Sequence, residues 1–198
     1  MKFSSLWKPL FMLSAAAATP GALAAEPQID LTTTVGTIRL ELYPAKAPKT
    51  VANFLQYVRD GHYNGTIFHR VIDGFMIQGG GFEPDFRQKP TRDPIANEAE
   101  QGVKAGLKNE VGSIAMARTS NPHSATAQFF INVGTNAFLN WGDPRSDGSG
   151  YAVFGKVISG QDVVTKIARA PTGPAGPFRS DVPREKVIIE SITVVGGK

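Results

Sequence analysis

The 198-residue chain has no cysteine. That excludes disulfides, thiolate metal ligands and a lipid-acylated N-terminal cysteine. Histidine is nearly as scarce, at three residues. His62, His69 and His123 lack metal-ligand spacing, so neither a metal nor another cofactor is expected. Runs of lysine or arginine are missing, which argues against nucleic acid as a partner. No apolar run reaches the ~18 residues of a membrane span. Gly79-Gly80-Gly81 precedes neither a helix nor a GK[ST] signature, so no phosphate loop is expected. The SDGSG stretch at 146–150 lacks the G-x-S-x-G elbow of hydrolases.

What is present begins with a leader. Lys2 and Lys8 form a positive n-region, residues 10–18 a short apolar stretch, and Ala22-Leu23-Ala24 a small-x-small cleavage site. Residues 1–24 read as a secretory signal peptide and 25–198 as one domain, with a retained N-terminal anchor as the alternative. Losing Lys2 and Lys8 lowers the net charge from +4 to +2, an ordinary soluble balance. A signal peptide without disulfides fits a periplasmic location, with no membrane association after cleavage. The hydrophobic core alone must then hold the fold, and roughly 170 residues suffice for that.

From Ile29 onward the apolar residues alternate or form short β-branched runs. In residues 35–42, Val35, Thr37, Arg39 and Glu41 alternate with Gly36, Ile38, Leu40 and Leu42, a half-buried strand. Further strands are expected at 66–72, 75–78, 112–117, 128–133, 152–158 and 187–195. Val51, Phe54, Leu55 and Val58 place one apolar stripe on a helix over 48–60. Pro48 suits its first turn and Gly61 its C-terminal cap. A shorter helix is expected over 161–168. Residues 79–108, 118–126 and 141–150 read as loops, and 171–183 as a Pro/Gly-rich connection. A loop as long as 79–108 signals function or irregular packing. Pattern alone therefore gives a mostly β single domain.

The segment 68–80 reads FHRVIDGFMIQGG and places Arg70 among Phe68, Val71, Ile72 and Phe75. Arginine keeps its proton in proteins, so this permanent cation needs a partner or a role. Taken alone it also reads as a strand-edge arginine reaching solvent, or paired with Asp73 or Glu41. Phe75, Met76, Phe130 and Leu139 alone read as core, and Gln78 and Gln128 as satisfied polar groups. A two-residue Asp73-Gly74 hairpin puts Arg70, Ile72, Phe75 and Ile77 on one face. Met76 and Gln78 then point the other way, unless a bulge or twist intervenes.

FHRVIDGFMIQGG and the later AQFFINV at 127–133, in this order, resemble the cyclophilin family of peptidyl-prolyl cis/trans isomerases. The resemblance runs over residues 29–195. It implies a closed eight-stranded antiparallel β-barrel with a helix capping each end. It implies an isomerase acting on X-Pro bonds of proline-containing polypeptides during folding of secreted proteins. Arg70 matches the catalytic arginine, acting with Phe75 and Gln78. Phe75, Met76, Phe130 and Leu139 match the proline pocket, and Gln128 the second site glutamine. Ala117 and Arg118 match the segment whose main chain pairs with the peptide, and the Arg118 cation implies a preference for acidic or polar residues near the proline. Phe138 stands where many members carry tryptophan, which implies weak cyclosporin binding at most. Tyr151 replaces a histidine at the pocket wall. A monomer is expected. Rotating an amide breaks no bond, so the chemistry asks for an apolar ring pocket and a fixed donor near the prolyl nitrogen. Two other classes remain: a binding module of the same fold without turnover, and a barrel carrying a small hydrophobic ligand. Arg70 separates the enzyme from the binding module, since binding alone does not require that cation.

Overall fold

A computed structural model describes residues 26–196. The signal peptide expected at 1–24 lies outside the described residues. Alternating apolar residues dictate the first two strands, β1 (Gln28–Thr33) and β2 (Gly36–Leu42). Ile29 and Leu31 of β1, and Ile38, Leu40 and Leu42 of β2, are fully buried. Between them Arg39 pairs with Asp30 across the ladder on the outer face, at 2.7 Å. Helix α1 (Pro48–Arg59) follows, with Val51, Phe54, Tyr57 and Val58 buried as one stripe. Then come β3 (Phe68–Ile72), β4 (Met76–Gly79), α2 (Ala99–Lys104), β5 (Ser113–Met116) and β6 (Phe129–Asn132). The chain ends with β7 (Val153–Ser159), α3 (Gln161–Ala168), β8 (Thr172–Ala175), β9 (Phe178–Pro183) and β10 (Ile189–Val194).

Eight strands form one antiparallel sheet in the order β10-β1-β2-β7-β5-β6-β4-β3. Bulges in the ladders at Thr32/Thr33, Arg39/Leu40, Phe68/Arg70 and Ile114/Ala115 curl it. The expected closed barrel is not formed. No ladder joins the edge strands β10 and β3, and the sheet is a curled half-barrel. Residues just outside those strands meet through one isolated bridge, Ile67 with Ile188. Phe68 N donates to Val187 O at 3.0 Å beside it. The physical reason is local: the bulge at His69 bends β3, and that strand has β9 for a neighbour, with His69 against Phe178 at 5.3 Å between ring centroids.

The concave face and the buried sides of α1 and α3 share the main core, which includes Phe54, Phe129, Ile131, Phe154, Val164 and Ile167. A second, smaller core lies on the opposite face of the β4–β6–β5 region and contains Met76, Ala115, Phe130, Leu139 and Val153. This explains why β6 reads FFIN without alternation: Phe129 and Ile131 enter one core and Phe130 the other.

Two segments differ from their expected state. Residues 171–183 form the β8–β9 hairpin rather than a bare connection. Residues 79–108 contain α2 and are tied to the body by Glu98. Its buried carboxylate accepts from Lys49 N (3.0 Å), Thr50 N (2.8 Å) and Thr50 Oγ1 (2.7 Å). The residue before α1 is Ala47, which has no side-chain acceptor, so Glu98 satisfies the helix N-terminus from a distance.

Candidate active site

The site is built on the β3–β4 hairpin. The turn has three residues, Asp73, Gly74 and Phe75, with Phe75 N donating to Ile72 O at 3.1 Å. Gly74 adopts φ 70°, open to glycine at no steric cost. The extra residue shifts the register, so Arg70 lies opposite Gln78 and Ile72 opposite Met76. Arg70, Ile72, Met76 and Gln78 therefore share the outer face. That corrects the two-residue hairpin, which put Met76 and Gln78 on the other side. Phe75 leaves the ladder and is held by its carbonyl, which accepts from Val133 N (3.0 Å), Gly134 N (3.3 Å) and Asn136 Nδ2 (2.8 Å).

The adjoining strands complete a cleft lined by Arg70, Phe75, Met76, Gln78, Ala117, Arg118, Phe130, Leu139 and Tyr151. Its volume is about 110 Å³, far below the ~300–1,000 Å³ of drug-sized pockets and suited to one small ring. Met76, Phe130 and Leu139 form a buried apolar floor. The remaining two expected residues stand directly behind the lining. Gln128 Oε1 accepts from Gln78 Nε2 at 3.0 Å, and Phe138 stacks on Phe75 with centroids 5.8 Å apart. Gly81 makes room for this arrangement: a Cβ there would lie 2.6 Å from Gln128 Cδ.

Arg70 is half-buried, with its guanidinium carbon 5.9 Å from the Phe75 ring centroid. It makes no ion pair among the described residues. Asp73, one of its two expected alternatives, instead accepts from Gly74 N at 2.9 Å. Its neighbour His69 points the other way, into a pocket with Phe82 and Phe178, and burial pulls its pKa down to about 4. Above pH 6 that imidazole is therefore neutral and adds no second charge behind Arg70.

Arg118 is held quite differently. Its side chain is 4% exposed, and its Nη2 donates to both carboxylate oxygens of Asp147, at 3.0 and 2.9 Å. Nε donates to Gly150 O (3.0 Å) and Nη1 to Thr119 O (2.9 Å). The free cation expected beside the proline is therefore a bound one.

Several supporting residues were not singled out from sequence. Asn132, fully buried, donates to Asn109 Oδ1 (3.1 Å) and Ser113 Oγ (2.9 Å), and accepts from Asn136 (2.6 Å). Asn109 in turn donates to Leu139 O (3.1 Å) and Tyr151 O (3.3 Å). This amide network fixes Phe75, Leu139 and Tyr151 from below. An asparagine inside the apolar run FFIN was the available signal, because a buried amide needs partners. Among the described residues no cluster of His, Asp and Glu could hold a metal ion, and no helix is long and apolar enough to cross a membrane.

The mostly β fold, with its curled sheet and two main helices, agrees with the comparisons. A family model described as cyclophilin type peptidyl-prolyl cis-trans isomerase/CLD matches residues 28–194. The chain belongs to this family and is a peptidyl-prolyl cis-trans isomerase; such enzymes act on proline-containing peptides. It is 58% identical over 159 residues to peptidyl-prolyl cis-trans isomerase B of Escherichia coli, covering 80% of this chain and 94% of that one. Isomerase A of Dickeya dadantii is 49% identical over 185 residues, with 93% of each chain covered. Among solved structures, a Cryptosporidium parvum cyclophilin type isomerase crystallised in the presence of the dipeptide Ala-Pro is 27% identical. It matches with a TM-score of 0.64 over 86% of this chain and 99% of its own.

Proposed function

We propose that the cleft binds the prolyl ring of an X-Pro segment on Met76, Phe130 and Leu139 and that Arg70 stabilises the twisted amide. The carrying observation is an arginine with no ion-pair partner among the described residues, beside an apolar floor sized for one ring. The amide barrier is ~18–20 kcal/mol because the C–N bond has double-bond character. Uncatalysed exchange takes tens of seconds. Reaching milliseconds requires roughly four decades, or about 5–6 kcal/mol. Twisting localises a lone pair on the prolyl nitrogen, and a fixed guanidinium N–H can donate to it only then. That interaction favours the transition state over the planar ground state. Gln78, positioned by Gln128, grips the neighbouring backbone, and Ala117 and Arg118 offer main chain to the peptide. Phe75, Phe138 and Tyr151 form the walls.

The leader-like residues 1–24 and the bacterial relatives support a periplasmic enzyme that assists folding of secreted proteins. It works as a monomer, without nucleic acid, cofactor or membrane attachment. The test is Arg70→Ala, with turnover of an X-Pro tetrapeptide and peptide affinity measured together. Turnover is expected to fall about 10²–10³-fold, as for loss of one transition-state donor, while affinity changes little. Full turnover in the variant sinks the assignment.

Cyclosporin binds weakly in this reading, because Phe138 has no N–H to donate where tryptophan has one. Phe138→Trp is expected to tighten inhibition by roughly one to two decades and leave turnover nearly unchanged. Equal inhibition of both proteins removes the hydrogen-bond argument.

A further inference from the structure

The cleft has two arginines in its lining, and one of them is occupied. Arg118 uses four donor contacts on three acceptors inside the protein: Asp147, Gly150 O and Thr119 O. Its guanidinium carbon also sits 4.4 Å from the Tyr151 ring centroid. Asp147 belongs to a segment closed at its base by Gly142 N to Gly148 O at 2.8 Å. The carboxylate also accepts from Ser149 N at 2.9 Å. Asn97 reaches the same place from residues 79–108, donating to Ser149 O (3.0 Å) and Gly150 O (3.1 Å). Three of the segments read as loops thus converge on Gly150, one residue before the cleft wall at Tyr151. Asp147 itself remains 46% exposed while its partner is nearly buried. The carboxylate is the solvent-facing half of the pair, and the cation is the half that borders the cleft.

We propose that Asp147 is a specificity-determining residue of the isomerase site, because it neutralises Arg118 and keeps a second free cation out of the cleft. This rests on the reading that the cleft is where X-Pro peptides bind. An unpaired guanidinium there would attract acidic residues flanking the proline and repel basic ones, through a charge contact made equally in ground and transition states. Such uniform binding alters KM and leaves kcat alone. With the pair intact, Arg70 alone among the described residues lining the cleft presents free charge, and peptides with acidic, neutral or basic flanks turn over alike. A folding catalyst that meets many chains needs that tolerance.

The experiment measures cis/trans exchange by NMR on X-Pro peptides carrying Glu, Ala or Lys in the flanking positions. The native protein is expected to show kcat/KM values within about threefold across the panel. Asp147→Ala is expected to raise the Glu-to-Lys ratio about tenfold, through KM, with the gain erased by high salt. Adding Arg118→Ala to Asp147→Ala should return the ratio to its native value. An unchanged ratio in an active Asp147→Ala protein overturns the proposal, as does a raised ratio that survives the second substitution. Should Asp147→Ala fail to fold, Asp147→Asn keeps the shape, removes the charge and carries the same expectations. A native protein whose exchange Arg70→Ala leaves untouched refutes the active-site reading instead, so the two failures are distinguishable.

Discussion

Two arginines border one small cleft, and the fold treats them in opposite ways. Arg70 comes from a regular strand, is half-buried, and meets only an aromatic face. Arg118 comes from an irregular segment, is nearly buried, and has a carboxylate and two carbonyls around it. A cation held by fixed anions is stabilised in place and has little field left for a ligand. A cation without an anion keeps its donors for whatever enters. The same residue type is thereby a chemical group in one position and a fastening in the other.

The sharpest way to break this contrast is to exchange each arginine for lysine. Arg70→Lys is expected to lose about two decades of turnover, because a compact ammonium cannot reproduce the rigid donor fork. Arg118→Lys, which keeps the charge but not the planar donor set shared among Asp147, Gly150 O and Thr119 O, should retain turnover within a few-fold. Comparable losses in both would mean that the two cations do one job.

A second measurement concerns pH. Isomerisation is expected to be flat from about pH 6 to 8, since no group in the proposed mechanism titrates there. Stability should behave differently. Burial holds His69 at about 4, below the ~6.5 of an unfolded histidine. The unfolded chain therefore binds the proton first as pH falls. Stability is full above about 6.5 and is lost between 6.5 and 4, by up to about 3 kcal/mol. His62, lowered mainly by burial, acts in the same direction. Urea midpoints at pH 7, 5.5 and 4.5 check this, and His69→Phe should flatten the curve. A bell-shaped rate profile near neutrality would instead place an acid-base group in the mechanism.

The smallest effect is on stability. Arg118→Ala removes hydrogen bonds to two carbonyls and a half-exposed carboxylate that water can resolvate. About 1–3 kcal/mol is expected from urea unfolding, whereas Arg70→Ala should cost less than 1. The reverse ranking would show Arg70 to be the structural cation.

Much of this was legible in the residues. The stripe Val51, Phe54, Val58 and the alternation through Ile38, Leu40 and Leu42 gave α1 and β2, because local periodicity meets a single buried face. All eleven expected site residues gather at or directly behind one cleft. The facing of Met76 and Gln78 was not legible, since the turn length is decided by groups about sixty positions away that hold the Phe75 carbonyl. Nor was the fate of Arg118, whose partner Asp147 sits in a segment with no period to read. The β8–β9 hairpin escaped because glycine and proline, abundant there, normally mark turns. The closed barrel failed for a related reason: whether two edge strands meet depends on bulges and neighbours, and alternation carries no record of either.

Glu98 gives the long segment before β5 a consequence for cooperativity. Its carboxylate supplies the acceptors that α1 lacks locally, across 48 residues of chain to Thr50. When residues 79–108 lift away, the amides of Lys49 and Thr50 lose their acceptor in the same event. Their hydrogen exchange should then follow the opening of that segment rather than the fraying of the helix. The chain thus couples the irregular stretch 79–108 to the start of α1, the longest helix among the described residues, and the two are expected to open as one unit.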